Sequence, residues 1–373
     1  MPRERHWYTD LALISFNTFL LLLALNLILW AAAPLFRQPT HFDPIVAFGL
    51  PRVLQSYPGW KEADVIALVH EMDQLDTAIY QYEPYTQFKL RPLHGRYLNI
   101  NPAGFRVIRN QAPWPPDPSA FNIFVFGGST TFGVGVADEE TIPSYLQEET
   151  AADTPHVAVY NFGRLGYFST QELLLFYRML SAGAAPKLAI FIDGINDFHS
   201  FSGEPDLTSE LASLLDSEHQ PWRLLRALPM WRAVSRAVPR PAPDFSDAGS
   251  PNGIIRRLRT NEALIRTLCD AHHVKPVFVL QPLPVYQYDL RYHYLNGADW
   301  SRYLRYADGA KYGYPLLAAM RGEFESKGDF LWLAGIQEGR HQNFYVSDGL
   351  HYSAPFSREI ARAIRDFLKK GTA

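Results

Sequence analysis

The stretch FNIFVFGGSTTFG, residues 121–133, decides the fold. Apart from Asn122, its first six residues are apolar, as a strand covered on both faces requires. Gly127 and Gly128 then let the chain turn, and three hydroxyl side chains, Ser129 to Thr131, follow at once. The same rhythm recurs downstream. HVAVYNFG (156–163), PKLAIFIDG (186–194), KPVFVLQP (275–282) and DFLWLAG (329–335) read as further strands. Helical segments are expected between them, near 138–150, after Ser169, over 254–272 and from Ser353 onward. Phe356, Ile360, Ile364 and Phe367 give the last one its apolar face. Ser169 to Glu172 has the capping-box pattern ahead of LLLFYRML. Strands alternating with helices predict a parallel sheet in three layers with right-handed crossovers.

Upstream the pattern differs. QAPWPPDPS (111–119) is rich in proline and is expected to bound a domain covering 119–373. Residues 37–118 read as a juxtamembrane region and linker. Within it Val65, Leu68, Val69, Met72, Leu75 and Ile79 fall at helical spacing, and YLNINPAGFRVIR (97–109) suggests short extended pieces about a turn at 102–104. Residues 11–36 carry no charge. That run exceeds the roughly 20 apolar residues a bilayer-spanning helix needs. Its length and the Pro34 after the small residues at its end favour an uncleaved anchor, residues 1–36, over a signal peptide. Arg3 and Arg5 before it, against Arg37 after it, favour a cytoplasmic N-terminus and an exported body.

Composition narrows the function classes. The chain has 373 residues, 47% of them hydrophobic and 20% charged, which excludes global disorder. A net charge of −3 offers no basic field for nucleic acid. The single cysteine, Cys269, builds neither an intramolecular disulfide nor a thiolate metal site. Between 198 and 252 the strand–helix rhythm breaks. There the arginine-rich WRLLRALPMWRAVSRAVPR (222–240) reads as a lid helix or a segment lying on an anionic membrane surface. The tyrosine-rich segment 284–306 reads as a carbohydrate platform or as lid packing.

In a parallel sheet, the loops after successive strands share the carboxyl edge, where ligands bind. Four candidate loops belong there: Gly127-Gly128-Ser129-Thr130, Asn161-Phe162-Gly163-Arg164-Leu165-Gly166, Asp193-Gly194-Ile195-Asn196-Asp197, and Asp348-Gly349-Leu350-His351 before the last helix. Each alone has a structural reading, since glycine, asparagine and aspartate also build plain turns. Together they supply the parts of acyl transfer. Ser129 is the candidate nucleophile, and His351 the base that takes its proton. Asp348 orients the imidazole. The N–H groups of Ser129 and Gly166 and the Asn196 amide are candidate oxyanion donors. Asp197 and His199 adjoin the third loop and are candidates to support Asn196 or to line the pocket.

These four blocks resemble those of the SGNH (GDSL-like) hydrolases, across residues 126–353. The resemblance implies a flavodoxin-like α/β/α fold, the triad Ser129, Asp348 and His351, oxyanion donors on Ser129, Gly166 and Asn196, and no metal or other cofactor. The chain departs from the usual Gly-Asp-Ser in having Gly128 before the serine, a form similar to a membrane-anchored bacterial subset. The loose second block leaves Gly163 and Gly166 as alternatives. The implied activity is a serine esterase acting on O-acyl groups of a cell-envelope glycan or lipid. The alternative is a membrane-tethered O-acyltransferase using the same triad. The expected partners are membrane lipid through residues 11–36 and an acylated glycan or lipid substrate.

Overall fold

The computed structural model describes residues 7–32, 43–75, 79–205, 207–215, 228–231, 249–295, 305–346 and 348–371. It divides into two compact units. One takes in residues 1–40 and 209–243, the other 41–208 and 244–373.

In the first unit, helix α1 spans Trp7–Ala32 and is long and apolar enough to cross a bilayer. Most of its large apolar side chains, from Leu11 to Trp30, are exposed. Its one buried residue, Asn26, satisfies its amide within the helix by donating to the Leu22 carbonyl at 2.8 Å. Of the arginine-rich segment 222–240, only 228–231 falls among the described residues, so its membrane reading lies outside them.

The second unit is built on five parallel strands that match those read from the sequence. Its elements run as follows: helix α2 (Glu62–Met72), strands β1 (Tyr80–Glu83), β2 (Gln87–Leu90), β3 (Leu93–His94), β4 (Asn99–Ile100) and β5 (Phe121–Gly127), and the single turn α3 (Ser129–Phe132). Next come α4 (Ile142–Ala151), β6 (Val157–Gly163), α5 (Ser169–Ser181), β7 (Leu188–Asp193) and the short α6 (Ile195–His199). Helix α7 (Gly249–His272), β8 (Lys275–Leu280), α8 (Asp308–Ala319), β9 (Phe330–Trp332) and α9 (Ala354–Lys370) follow, with shorter helical turns between some of these elements. The main sheet has the order β6-β5-β7-β8-β9. Counted from its first strand this is 2-1-3-4-5, the flavodoxin-like order, whose chain reversal leaves a crevice between the first and third strands.

The alternating side chains of these strands sort into two cores. One face is aliphatic. Ile123, Val125, Val159, Ile190, Val277 and Val279 pack there with Ile142 and Leu146 of α4 and Ile360 and Ile364 of α9. The other face is aromatic and lies under α5, α7 and α8. The strand register places Phe162, Phe126, Phe191, Phe278 and Phe330 in one row across all five strands. Phe126 stacks on Phe191 with centroids 4.8 Å apart, and Phe191 on Phe278 at 5.6 Å.

Of residues 37–118, read as a juxtamembrane region and linker, the part described from 43 onward belongs to the same compact unit as the sheet. The apolar face of α2, with Val65, Leu68, Val69 and Met72, packs in one cluster with Phe132, Val136 and Val346. Arg106 adds a further pairing, bridging Asn161 at the edge of β6. The proline-rich 111–119 is therefore not a break between compact units. Its apolar residues have a buried surface to cover, and Trp114 packs on Phe124, Tyr160 and Phe162.

The capping box expected at Ser169 does not form. Phe168 occupies the cap position of α5, and no side chain caps it. The Ser169 hydroxyl instead donates to Asp197 at 2.6 Å, and Glu172 is buried near Asp193 and Asp197. A buried carboxylate in reach outcompetes the local backbone for that hydroxyl.

Candidate active site

Ser129 opens the turn α3 directly after β5, at the crevice end of the sheet. As the first residue of that turn it leaves its backbone N–H without an acceptor among the described residues. Its Oγ lies 2.8 Å from His351 Nε2. The other ring nitrogen of His351, Nδ1, is bonded to Asp348 Oδ2. Residues 222 positions apart in the chain thus meet in a continuous Ser–His–Asp relay.

The loop carrying His351 is held by its own polar groups. Asp348 Oδ1 accepts the N–H groups of Leu350 at 2.9 Å and of His351 at 3.0 Å, which is the local turn that aspartate favours. Burial alone would push the Asp348 carboxyl up, but the His351 ring and these two N–H groups outweigh it and hold it below the usual carboxylate range. The Val346 N–H donates to the His351 carbonyl at 2.8 Å, closing the loop. From behind, buried His293 bonds the Gly349 carbonyl through Nε2 at 3.0 Å while its Nδ1 accepts the Leu295 N–H at 3.0 Å. That pattern requires the neutral ring with its proton on Nε2. Burial pushes His293 down to about 4, consistent with this neutral form.

Asn196 stands on α6, after the third strand, across the crevice from α3. Its Nδ2 donates to the Tyr167 carbonyl at 2.6 Å, and its Oδ1 accepts the Tyr306 hydroxyl at 3.0 Å. The amide lies against Gly128, where an added Cβ would come within 2.0 Å of Nδ2. Glycine at 128 thus leaves the space that the Asn196 amide occupies.

The two glycines left open in the second block differ in the structure. Gly163 belongs to β6, and its N–H donates to Asn161 Oδ1 at 3.0 Å. Gly166 lies in the loop beyond at φ +69°, and its N–H has no acceptor among the described residues. Of the two, only Gly166 offers a donor.

The turn α3 is clamped by residues the sequence did not single out. Arg106, fully buried, donates through Nη1 to the Phe132 carbonyl at 3.0 Å and the Gly133 carbonyl at 2.5 Å, through Nη2 to the Val136 carbonyl at 2.7 Å, and through Nε to Asp138 at 2.8 Å. The Phe132 carbonyl is one that the end of α3 leaves without a partner inside the helix. Asn161 donates its amide to the Thr131 and Phe132 carbonyls at 3.1 and 3.3 Å. Thr130 donates to Gln281 at 3.1 Å, at the end of the fourth strand. Arg106 lies in a segment read as juxtamembrane, so only its place between apolar Phe105 and Val107 hinted at burial. Asp197 turns towards α5 and serves Ser169, whereas His199 stacks on Tyr306 with centroids 3.6 Å apart. Among the described residues, no group of three or more His, Cys, Asp or Glu side chains is placed to hold a metal ion.

A known protein family matches much of this unit. The model of the GDSL-like lipase/acylhydrolase family matches residues 125–318, just over half of the chain. Similar solved structures include the psychrotrophic esterase EstA from Pseudoalteromonas sp. in a form inhibited by monoethylphosphonate (13% identity, 67% of this chain and 97% of that one, TM-score 0.36). Others are a GDSL-like lipase from Bacteroides thetaiotaomicron (13%, 68% and 91%, 0.37) and the lipase/acylhydrolase from Enterococcus faecalis (15%, 67% and 95%, 0.36). The sequence matches no curated protein. The family match ends before Asp348 and His351, which the fold returns to Ser129. The chain belongs to the GDSL-like lipase/acylhydrolase family, and it is a serine hydrolase of the ester-cleaving kind.

Proposed function

We propose that the protein is a membrane-tethered esterase that removes O-acetyl groups from a cell-envelope glycan or lipid, with Ser129, His351 and Asp348 as its triad. The observation that carries the catalytic part is the 2.8 Å contact between Ser129 Oγ and His351 Nε2, with Asp348 on the opposite nitrogen. A proton held on Nδ1 by Asp348 leaves Nε2 as the acceptor for the serine hydroxyl.

The steps follow from that geometry. Ser129 passes its proton to His351 Nε2 as Oγ attacks the ester carbonyl. The new oxyanion takes hydrogen bonds from the Ser129 and Gly166 N–H groups and from the free N–H of the Asn196 amide. On collapse the alcohol leaves with the proton from His351, and the acyl group stays on Ser129. Water, deprotonated by His351, then releases acetate and restores the serine. Asp348 remains ionised throughout and stabilises the imidazolium that forms in each half-reaction.

The membrane part rests on α1. A helix of 26 residues that exposes this many leucines loses free energy in water and gains it in lipid. In this reading residues 1–36 anchor the chain and the hydrolase body works on the exported side, within reach of acylated envelope polymers.

The test uses the full-length protein in detergent. Wild type should be labelled by a serine-directed fluorophosphonate and should turn over a chromogenic acetyl ester, and Ser129→Ala should do neither. Unchanged turnover by Ser129→Ala would overturn the triad. Incubation with acetylated envelope glycan, followed by mass spectrometry, then reads the direction of transfer. Acetate released to water supports the esterase, and acetyl groups gained by the glycan from an added donor would replace it with acyl transfer to a polymer hydroxyl.

A further inference from the structure

We propose that Tyr306 is a positioning residue for the oxyanion donor Asn196, which ties part of the tyrosine-rich segment to the chemistry; the proposal rests on the reading of Asn196 given above. An amide on a short helix can rotate about its last side-chain bond and present either oxygen or nitrogen to a neighbour. Two partners remove that freedom here. The Tyr167 carbonyl can only accept, so it must meet the amide NH₂, and it does so at 2.6 Å. Oδ1 then points the other way, where the Tyr306 hydroxyl donates to it at 3.0 Å. With the oxygen engaged by Tyr306 and one N–H by Tyr167, the second N–H keeps a fixed direction beside Gly128, next to the nucleophile. A flipped amide would set its oxygen against the Tyr167 carbonyl, a repulsive contact.

The tyrosine is itself held against the helix that carries Asn196. Its ring lies flat on His199, three residues further along α6, with centroids 3.6 Å apart and planes 13° from parallel. Residues three apart share a helix face, so hydroxyl and ring together grip one side of α6. Donation to Oδ1 also polarises the amide and makes its N–H groups better donors, an effect that grows as negative charge develops on the substrate oxygen. Tyr306 needs no contact with the substrate to do this.

The experiment is a double-mutant cycle in the full-length protein, with kcat and KM measured on a chromogenic acetyl ester and thermal unfolding as a folding control. Tyr306→Phe removes the hydroxyl and keeps the ring stack. It should lower kcat about tenfold, the worth of one neutral hydrogen bond, with KM within about twofold and the unfolding temperature unchanged. Asn196→Ala should lower kcat by roughly 10²–10³. In the Asn196→Ala background, adding Tyr306→Phe should cost nothing further. A wild-type kcat for Tyr306→Phe, or the same tenfold loss with Asn196 absent, would overturn the proposal while leaving the triad intact. A wild-type kcat for Asn196→Ala would instead remove the donor reading, and the role of Tyr306 with it.

Discussion

Gly128 leaves room for the Asn196 amide: a Cβ on this residue, directly before Ser129, would lie 2.0 Å from the amide nitrogen and 3.2 Å from the Tyr167 carbonyl that holds it. Both contacts lie with groups fixed by hydrogen bonds, so neither can give way cheaply. Gly128→Ala, and more so Gly128→Asp, which restores the commoner family residue, should push Asn196 out of line. The expected outcome is a loss of kcat of about 10²-fold, close to that of Asn196→Ala itself. The two changes combined should not multiply, and ester hydrolysis by the three variants checks it.

Asp348→Asn should keep the loop and lose the relay. The asparagine oxygen can still accept the Leu350 and His351 N–H groups, but its amide cannot hold the His351 proton on Nδ1. A fall in kcat of about 10⁴ is expected, with unfolding temperature nearly unchanged. Steady-state kinetics beside calorimetry separates this from simple destabilisation.

Arg106→Met should act on stability first. It removes the hydrogen bonds that Arg106 gives to three carbonyls and to Asp138, and leaves Asp138 buried without its cation. Burial already pushes the Asp138 carboxyl up, and Arg106 is the main opposing influence. A loss of about 3–5 kcal/mol is expected from urea unfolding. Labelling of Ser129 should slow as well, because the clamped carbonyls belong to its turn. A variant as stable as wild type would mean that the clamp is dispensable.

Stability should decline as pH rises through the weakly acidic range. Burial raises Glu262 from 4.5 to about 7, against the attraction of Arg266 and with a further push from Asp329. Between those two values the folded state binds a proton that the unfolded chain has lost. The contribution is therefore complete below about 4.5 and disappears as pH climbs to 7. At about 1.4 kcal/mol per pH unit it amounts to something on the order of 3 kcal/mol. Glu262→Gln should match wild type near pH 4 and exceed it near pH 8. Melting temperatures across that range decide it, and parallel curves would refute it.

The sheet and the four loops were legible because their signals are local. A strand buried on both faces needs a continuous apolar run, and a loop at its end needs small polar residues. Asp348 and His351 could be joined to Ser129 before any coordinates because every parallel strand sends its loop to one edge. Arg106, His293 and Tyr306 could not be found that way. Each acts on a residue at least 25 positions distant, and nothing in an arginine's neighbours says that its charge will be spent on carbonyls in the core. The capping pattern at Ser169 misled for the same reason, since Asp197 on α6 takes the hydroxyl. Residues 43–118 lacked the strand–helix rhythm, yet the apolar face of α2 was visible, and what it covers was not.

The row of five phenylalanines across the sheet acts as a gauge for the active site. Phe126 stands three residues before Ser129, and Phe191 five before Asn196, and the two rings are stacked. A slip of one residue between their strands would break the stack and move one loop about 3.3 Å against the other. Catalytic groups tolerate misplacement of only about 0.5 Å. The aromatic core therefore sets the distance between Ser129 and Asn196 from beneath, and substitutions far from solvent along that row should be felt first as lost alignment in the crevice.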